Sequence, residues 1–296
     1  MIQRRYLQLD VFADRPGAGN PLGVVVDAQG LDTAGMQALA AWLNLSETIF
    51  FQPLGGYGAD YHVRIFTPKN ELPFAGHPSV GAAWAALAQG LVRPEHLHAR
   101  SEGEVDLVQQ CAAGLLPVRV RQAGDARRIA VRTPRAVHRF DVPPPAWLLA
   151  PQVFGAARGA LPPALYNNGP DWWLLELADE AALRALQPDL ALIAALPGKG
   201  KLAVFARTPG AEYDLAVRAF APATGVPEDP VTGSANGLIA AWLHARQALP
   251  GRDGRYLASQ GRELGRDGRV EVEVDFEGEV WIGGQVQGVL EGTLRW

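Results

Sequence analysis

The chain has 296 residues and a formal net charge of −4, and at about 150 residues per domain that length suggests two domains. With 48% hydrophobic and 20% charged residues it has the balance of a folded globule, which excludes a chain dominated by disorder. The acidic balance and the lack of a contiguous Lys/Arg block argue against nucleic acid as a partner.

At the N-terminus, Arg4 and Arg5 are not followed by the apolar run and small-residue cleavage site of a signal peptide. No stretch reaches the roughly 18 apolar residues of a membrane span. A cytoplasmic protein with no membrane partner is expected. Thr33–Leu43 reads as a helix with Met36, Leu39, Ala40 and Leu43 on one face. Strand-like segments follow around Glu47–Phe51 and Tyr61–Phe66, then a Gly-containing turn and an Ala-rich helix from Gly76 to Leu87. Val118 and Val120 alternate as a half-buried strand would. The composition shifts at Pro134 to Pro151, where Pro143-Pro144-Pro145 can continue neither a helix nor a central strand. This stretch reads as a connection, with domains at 1–134 and 135–296. Beyond it come a helix at Glu180–Leu186, a second Ala-rich helix from Gly233 to Leu243, and alternating Val270, Val272 and Val274. Whether the last strand, around Gln285–Trp296, stays with its own half or crosses to the other is left open.

The second half repeats the first. Tyr61-His-Val-Arg64-Ile-Phe66-Thr-Pro68 recurs loosely as Tyr213-Asp-Leu-Ala-Val-Arg218-Ala-Phe220-Ala-Pro222, with Arg-x-Phe-x-Pro displaced by 154 residues, from Arg64 to Arg218. Glu47–Phe51 aligns with Lys201–Phe205, and Gly114–Val120 with Gly268–Val274, at nearly the same spacing. Both Ala-rich helices contain Ala-Ala-Trp. Preserved order and spacing of this kind mark an internal duplication.

Cys111 is the single cysteine, which excludes an intramolecular disulfide and a Cys-rich zinc site. The histidines form no HExxH or Cys/His pattern, so no metal site is expected.

Four segments carry the chemistry: Gly19-Asn20-Pro21, Asn44-Leu-Ser46-Glu47-Thr48, Glu71-Leu-Pro-Phe-Ala-Gly76-His77-Pro78 and Glu228-Asp229-Pro-Val-Thr232-Gly233-Ser234. In this order, with the Arg-x-Phe-x-Pro strands between them, they resemble the PhzF-like phenazine-biosynthesis family from about Leu7 to the end. The resemblance implies an α/β (α+β) diaminopimelate epimerase-like fold, in which two pseudo-symmetric halves each curve a sheet around a central helix. Relatives of that fold use two cysteines to take and give a proton. Here the two turns hold His77 and Ser234, so a two-thiol racemase is excluded by counting.

The resemblance places the general acid/base on Glu47. Its neighbours Leu45, Ile49 and Phe50 would partly desolvate such a carboxylate. Gly76 and His77 open one expected helix, and Gly233 and Ser234 the other; free amides and the positive helix end suit an anionic group at both. The two turns are expected to face one cleft, with the substrate's carboxylate and any developing negative charge held there. Asp229 takes a catalytic role by resemblance beside Glu47 and His77, while Asn20 and Ser46 join Gly76, Gly233 and Ser234 as substrate-binding residues. Arg64, Glu71 and Arg218 read instead as salt-bridge supports, and Trp172-Trp173 as core. The expected function is a cofactor-independent isomerase that moves a proton on a small carboxylate-bearing molecule, with dihydro-3-hydroxyanthranilate as the family's named substrate and a homodimer as the assembly. The alternative is a non-catalytic small-molecule binding protein of the same fold.

Overall fold

The computed structural model describes residues 2–56, 58–92, 98–101, 103–124, 126–208, 210 and 212–296. The chain forms two compact units, one of residues 1–132 with 283–296 and one of residues 133–282. In the first lie β1 (Gln3–Val11), β2 (Asn20–Val25), α1 (Thr33–Leu43), β3 (Glu47–Gln52), β4 (Tyr61–Phe66), β5 (Glu71–Leu72), α2 (Gly76–Ala88), β6 (His98–Ser101), β7 (Glu104–Cys111), β8 (Gly114–Ala123) and β9 (Ala126–Arg132). The second holds β10 (Val137–His138), α3 (Ala146–Leu149), β11 (Gln152–Val153), β12 (Ala156–Ala157), β13 (Ala164–Asn167), β14 (Asp171–Glu176), α4 (Glu180–Ala185), α5 (Leu190–Ala194), β15 (Leu202–Arg207), β16 (Leu215–Ala221), β17 (Val226–Asp229), α6 (Gly233–His244), β18 (Arg255–Gln260) and β19 (Gly268–Val274). β20 (Val280–Arg295) begins in the second unit and runs on in the first.

The sheet of the first unit closes on itself. β1 is antiparallel to β2, β2 parallel to β3, β3 antiparallel to β4, β4 parallel to β7, and β7–β8–β9 are antiparallel neighbours. β20 pairs with β9 and, from Val286 to Arg295, with β1. Closure leaves no free edge along those strands and surrounds α2, which contacts β1, β2, β3, β4 and β9. Because α2 is buried on nearly every side, small residues are required along it. A Cβ added at Gly81 would stand 2.4 Å from Leu22 Cδ2.

α1 lies outside this sheet and is amphipathic. Asp32 caps it by accepting from the Gly35 amide at 2.8 Å, and Asn44, the non-glycine type that best tolerates the left-handed region, ends it at φ 52°. Its Met36, Leu39 and Ala40 pack on Tyr6, Val25, Phe50 and Phe66.

The duplication seen in the sequence is a duplication of topology. In the second unit β14 is parallel to β15, β15 antiparallel to β16, β16 parallel to β18 and β18 antiparallel to β19, the same sequence of directions as β2–β3–β4–β7–β8. The side chains match as well. Arg64 on β4 pairs with Glu71 on β5 at 2.6 Å and lies 5.2 Å from the Phe66 ring; Arg218 on β16 pairs with Glu228 on β17 at 2.8 Å and lies 5.1 Å from the Phe220 ring.

Two features differ from a simple pair of halves joined by a linker. The proline-rich stretch is packed into the second unit, where β10 pairs with β13 and Leu148 of α3 is buried in the core with Trp173 and Leu175. The final strand returns to the first unit, and the Ile2 and Trp296 backbones exchange two hydrogen bonds of 3.2 Å.

Candidate active site

In the first unit, Glu47 is the first residue of β3 and lies beside Leu22 of β2. His77 is the second residue of α2. Strand start and helix start bring the two side chains together, with Glu47 Oε2 3.4 Å from His77 Nε2 and side-chain exposures of 17% and 5%. Burial pulls the His77 pKa down to about 3, so at neutral pH the ring is uncharged. The contact is therefore one between a carboxyl group and a neutral imidazole, not an ion pair.

The N-cap of α2 is Ala75, which offers no side-chain acceptor to the first-turn amides. His77 lies within the helix and is not its cap. Asn20, fully buried, opens β2 opposite Val11. The preceding Gly19 is forced by space: a Cβ there would stand 2.1 Å from the Val11 carbonyl oxygen. The Gly19 amide donates to buried Asp10 Oδ2 at 3.1 Å, which anchors the turn that leads into Asn20. Ser46 is half-buried immediately before β3.

In the second unit, Asp229 ends β17, and Gly233 and Ser234 open α6. Thr232 is the N-cap of α6, yet its hydroxyl makes no capping bond; it donates to Asp229 Oδ2 at 2.7 Å. Ser234 is gripped from the β13–β14 hairpin, its Oγ accepting from Trp172 Nε1 of β14 at 3.1 Å and its carbonyl from Asn168 Nδ2 of the turn at 3.0 Å. An indole N–H can only donate, so Ser234 Oγ is the acceptor of that bond and its own proton points elsewhere.

Ser46, Glu47, Asn20, Gly76 and His77 thus belong to the first unit, and Asp229, Gly233 and Ser234 to the second. Arg64, Glu71 and Arg218 form the structural ion pairs expected of them. Thr232, Asn236, Gln260 and Trp172 are polar contributors that the sequence reading did not single out. Trp172 is core as expected, but its N–H is a polar handle on Ser234. Cys111 ends β7 at the β7–β8 hairpin, where burial raises its thiol pKa. Among the described residues no group of three or more His, Cys, Asp or Glu side chains is placed to hold a metal ion, and no helix is long and apolar enough to cross a membrane.

Two α/β units of one topology, each with a buried helix that starts at a glycine, are the architecture of the epimerase-like folds. A hydroxyproline epimerase from Agrobacterium vitis shares the fold, with a TM-score of 0.65 over 99% of this chain and 92% of that one at 14% identity. The family model described as "Phenazine biosynthesis-like protein" matches residues 9–292, and the chain belongs to that family. It is similar to an uncharacterized isomerase of Deinococcus radiodurans, 39% identical over 98% of this chain and 94% of the relative. It is also similar to the trans-2,3-dihydro-3-hydroxyanthranilate isomerase of Pseudomonas aeruginosa, 36% identical over 93% of this chain and 92% of that enzyme. The solved structure of a predicted epimerase from Pseudomonas aeruginosa covers 99% of both chains at 32% identity, with a TM-score of 0.78. The chain is an isomerase of this family.

Proposed function

We propose that this isomerase moves a proton between carbons of a small, unsaturated, carboxylate-bearing substrate, that Glu47 carries the proton, and that neither a metal nor an organic cofactor takes part. The observation that carries the reading is the 3.4 Å contact between Glu47 and an uncharged His77. A carboxylate beside a neutral ring keeps its capacity to take a proton, whereas a charged imidazolium would favour its staying ionised. Glu47 takes the proton from carbon, and the electron pair moves into the conjugated system toward the carboxylate. Glu47 then returns the proton to another carbon of the same system, so that no oxidant, reductant or second substrate is consumed.

In the second unit, Ser234, whose hydroxyl is left as a donor by Trp172, and the first-turn amides of α6 would bind an anionic group, and in the first unit the first-turn amides of α2 would stabilise negative charge in the same way. Asp229 would orient the substrate. The substrate of the Pseudomonas aeruginosa relative, trans-2,3-dihydro-3-hydroxyanthranilate, has the required unsaturation and carboxylate, and is the first compound to test.

The test is incubation of the protein with that compound and with a panel of unsaturated carboxylates in deuterated water, followed by NMR for label at carbon. Enzyme-dependent label that disappears with Glu47→Gln is expected. Binding without label in any compound would replace the reading with that of a non-catalytic binding protein.

A further inference from the structure

Gln260 ends β18 as a fully buried side chain, and its carboxamide fills all four of its hydrogen-bonding positions around one turn. Oε1 accepts from the Thr232 amide at 3.0 Å and from Asn236 Nδ2 at 2.9 Å. Nε2 donates to the Asp229 carbonyl at 2.9 Å and to Thr232 Oγ1 at 2.9 Å. The direction of the amide is imposed from both sides, because the Thr232 N–H can only donate and the Asp229 C=O can only accept. With its lone pair engaged by Nε2, the Thr232 hydroxyl gives its proton to Asp229 Oδ2 at 2.7 Å.

The first unit carries the same device in reduced form. Gln109, fully buried on β7, donates to Ser79 Oγ at 2.9 Å, and Ser79 Oγ bonds the carbonyl of Ala75, the N-cap of α2, at 2.9 Å. β7 pairs parallel with β4 as β18 does with β16, and Ser79 and Asn236 are each the fourth residue of the buried helix. A buried glutamine thus reaches from the equivalent strand to the equivalent helix position in both units, but only in the second does it continue to a carboxylate.

We propose that Gln260 is the positioning residue of Asp229: acting through Thr232, its buried carboxamide fixes both the backbone and one carboxylate oxygen of Asp229, and so sets where that carboxylate meets substrate. This rests on the reading of Asp229 as a substrate-orienting group. It makes the polarity of the amide, and not merely the volume of the side chain, the property that matters.

Three variants separate polarity from packing. Gln260→Glu keeps the shape but turns an acceptor toward the Asp229 carbonyl; Thr232→Val keeps the shape without the hydroxyl; Thr232→Ser restores the hydroxyl. Each is measured for kcat and KM with trans-2,3-dihydro-3-hydroxyanthranilate and for amide hydrogen exchange across residues 228–236. Gln260→Glu and Thr232→Val should lower kcat by about tenfold or more with KM changed by less than about threefold, and should speed exchange in 228–236 alone. Thr232→Ser should restore kcat to within about threefold of wild type. Wild-type kcat or wild-type exchange in Thr232→Val would overturn the proposal, as would a Thr232→Ser variant no better than Thr232→Val. If Gln260→Glu fails to fold, the Thr232 pair decides. Should the wild-type protein turn over no compound, the proposed function fails while the exchange pattern still decides the role of Gln260.

Discussion

His77 Nε2 stands 3.4 Å from Glu47 Oε2, and burial keeps the ring uncharged, with a pKa of about 3 against an ordinary value of 6.5. Such a lowered value makes a statement about stability. In the unfolded chain the imidazole takes a proton as pH falls through 6.5, while the folded protein refuses it until about pH 3. Stability from this site is therefore full above pH 6.5 and is lost progressively as pH falls toward 3, by a few kcal/mol in order of magnitude. Urea denaturation between pH 7 and 4 should show wild-type stability falling more steeply than that of His77→Asn. Parallel curves would mean that His77 protonates in the folded state.

Glu47→Gln should lower turnover by at least about 10²-fold while leaving thermal unfolding and ligand affinity close to wild type, since the amide keeps shape but cannot exchange a proton at neutral pH. Retention of more than about a hundredth of the wild-type rate, by direct assay of solvent-hydrogen exchange, would remove Glu47 from the proton path.

Trp172→Phe keeps a buried ring but deletes the N–H that occupies Ser234 Oγ. If that bond holds the Ser234 hydroxyl as a donor to the substrate's carboxylate, KM should rise by about three- to tenfold, the worth of one ordinary hydrogen bond, with kcat little changed. Steady-state kinetics checks the split; a fall in kcat at constant KM would point to a different role for the serine.

Chelation and exhaustive dialysis should leave activity unchanged, because charge stabilisation is assigned to backbone amides and Ser234. Activity lost on chelation and regained with one added metal would refute this.

Gly81→Ala should destabilise the first unit by about 1–3 kcal/mol, because the new methyl would sit 2.4 Å from Leu22 Cδ2 inside a closed sheet that has little room to yield. Chemical denaturation measures it, and a neutral result would show that α2 can shift within its sheet.

What the sequence made legible was whatever depends on nearby residues. α1 spans Thr33–Leu43 as its periodicity requires, and both buried helices start at the glycines that mark them. Glu47, His77, Asp229 and Ser234 stood out because they sit in short motifs whose types and order resemble those of the PhzF-like family. Gln260 and Trp172 could not be found that way. Each acts on a partner 28 and 62 residues distant in the chain, on Thr232 and Ser234 respectively, and alone looks like a strand-end glutamine or a core tryptophan. The packing of Pro134–Pro151 was missed for a related reason. Prolines forbid a long helix or central strand, but they do not forbid a two-residue edge strand and a single helical turn.

The pairing of β1 with β20 sets an order of events during synthesis. Residues 133–282 form a contiguous stretch whose sheet can assemble as soon as it leaves the ribosome, whereas β1 must wait for β20, which is made only after that whole stretch. The unit that holds Glu47 is thus completed only once β20 has been made, and loss of Val286–Arg295 would strip β1 of its partner on one side and leave it β2 alone. Because Ile2 and Trp296 are bonded to each other, a short linker placed between these two residues, with a break cut into an exposed loop, would give a permuted chain in which β20 and β1 are made in succession.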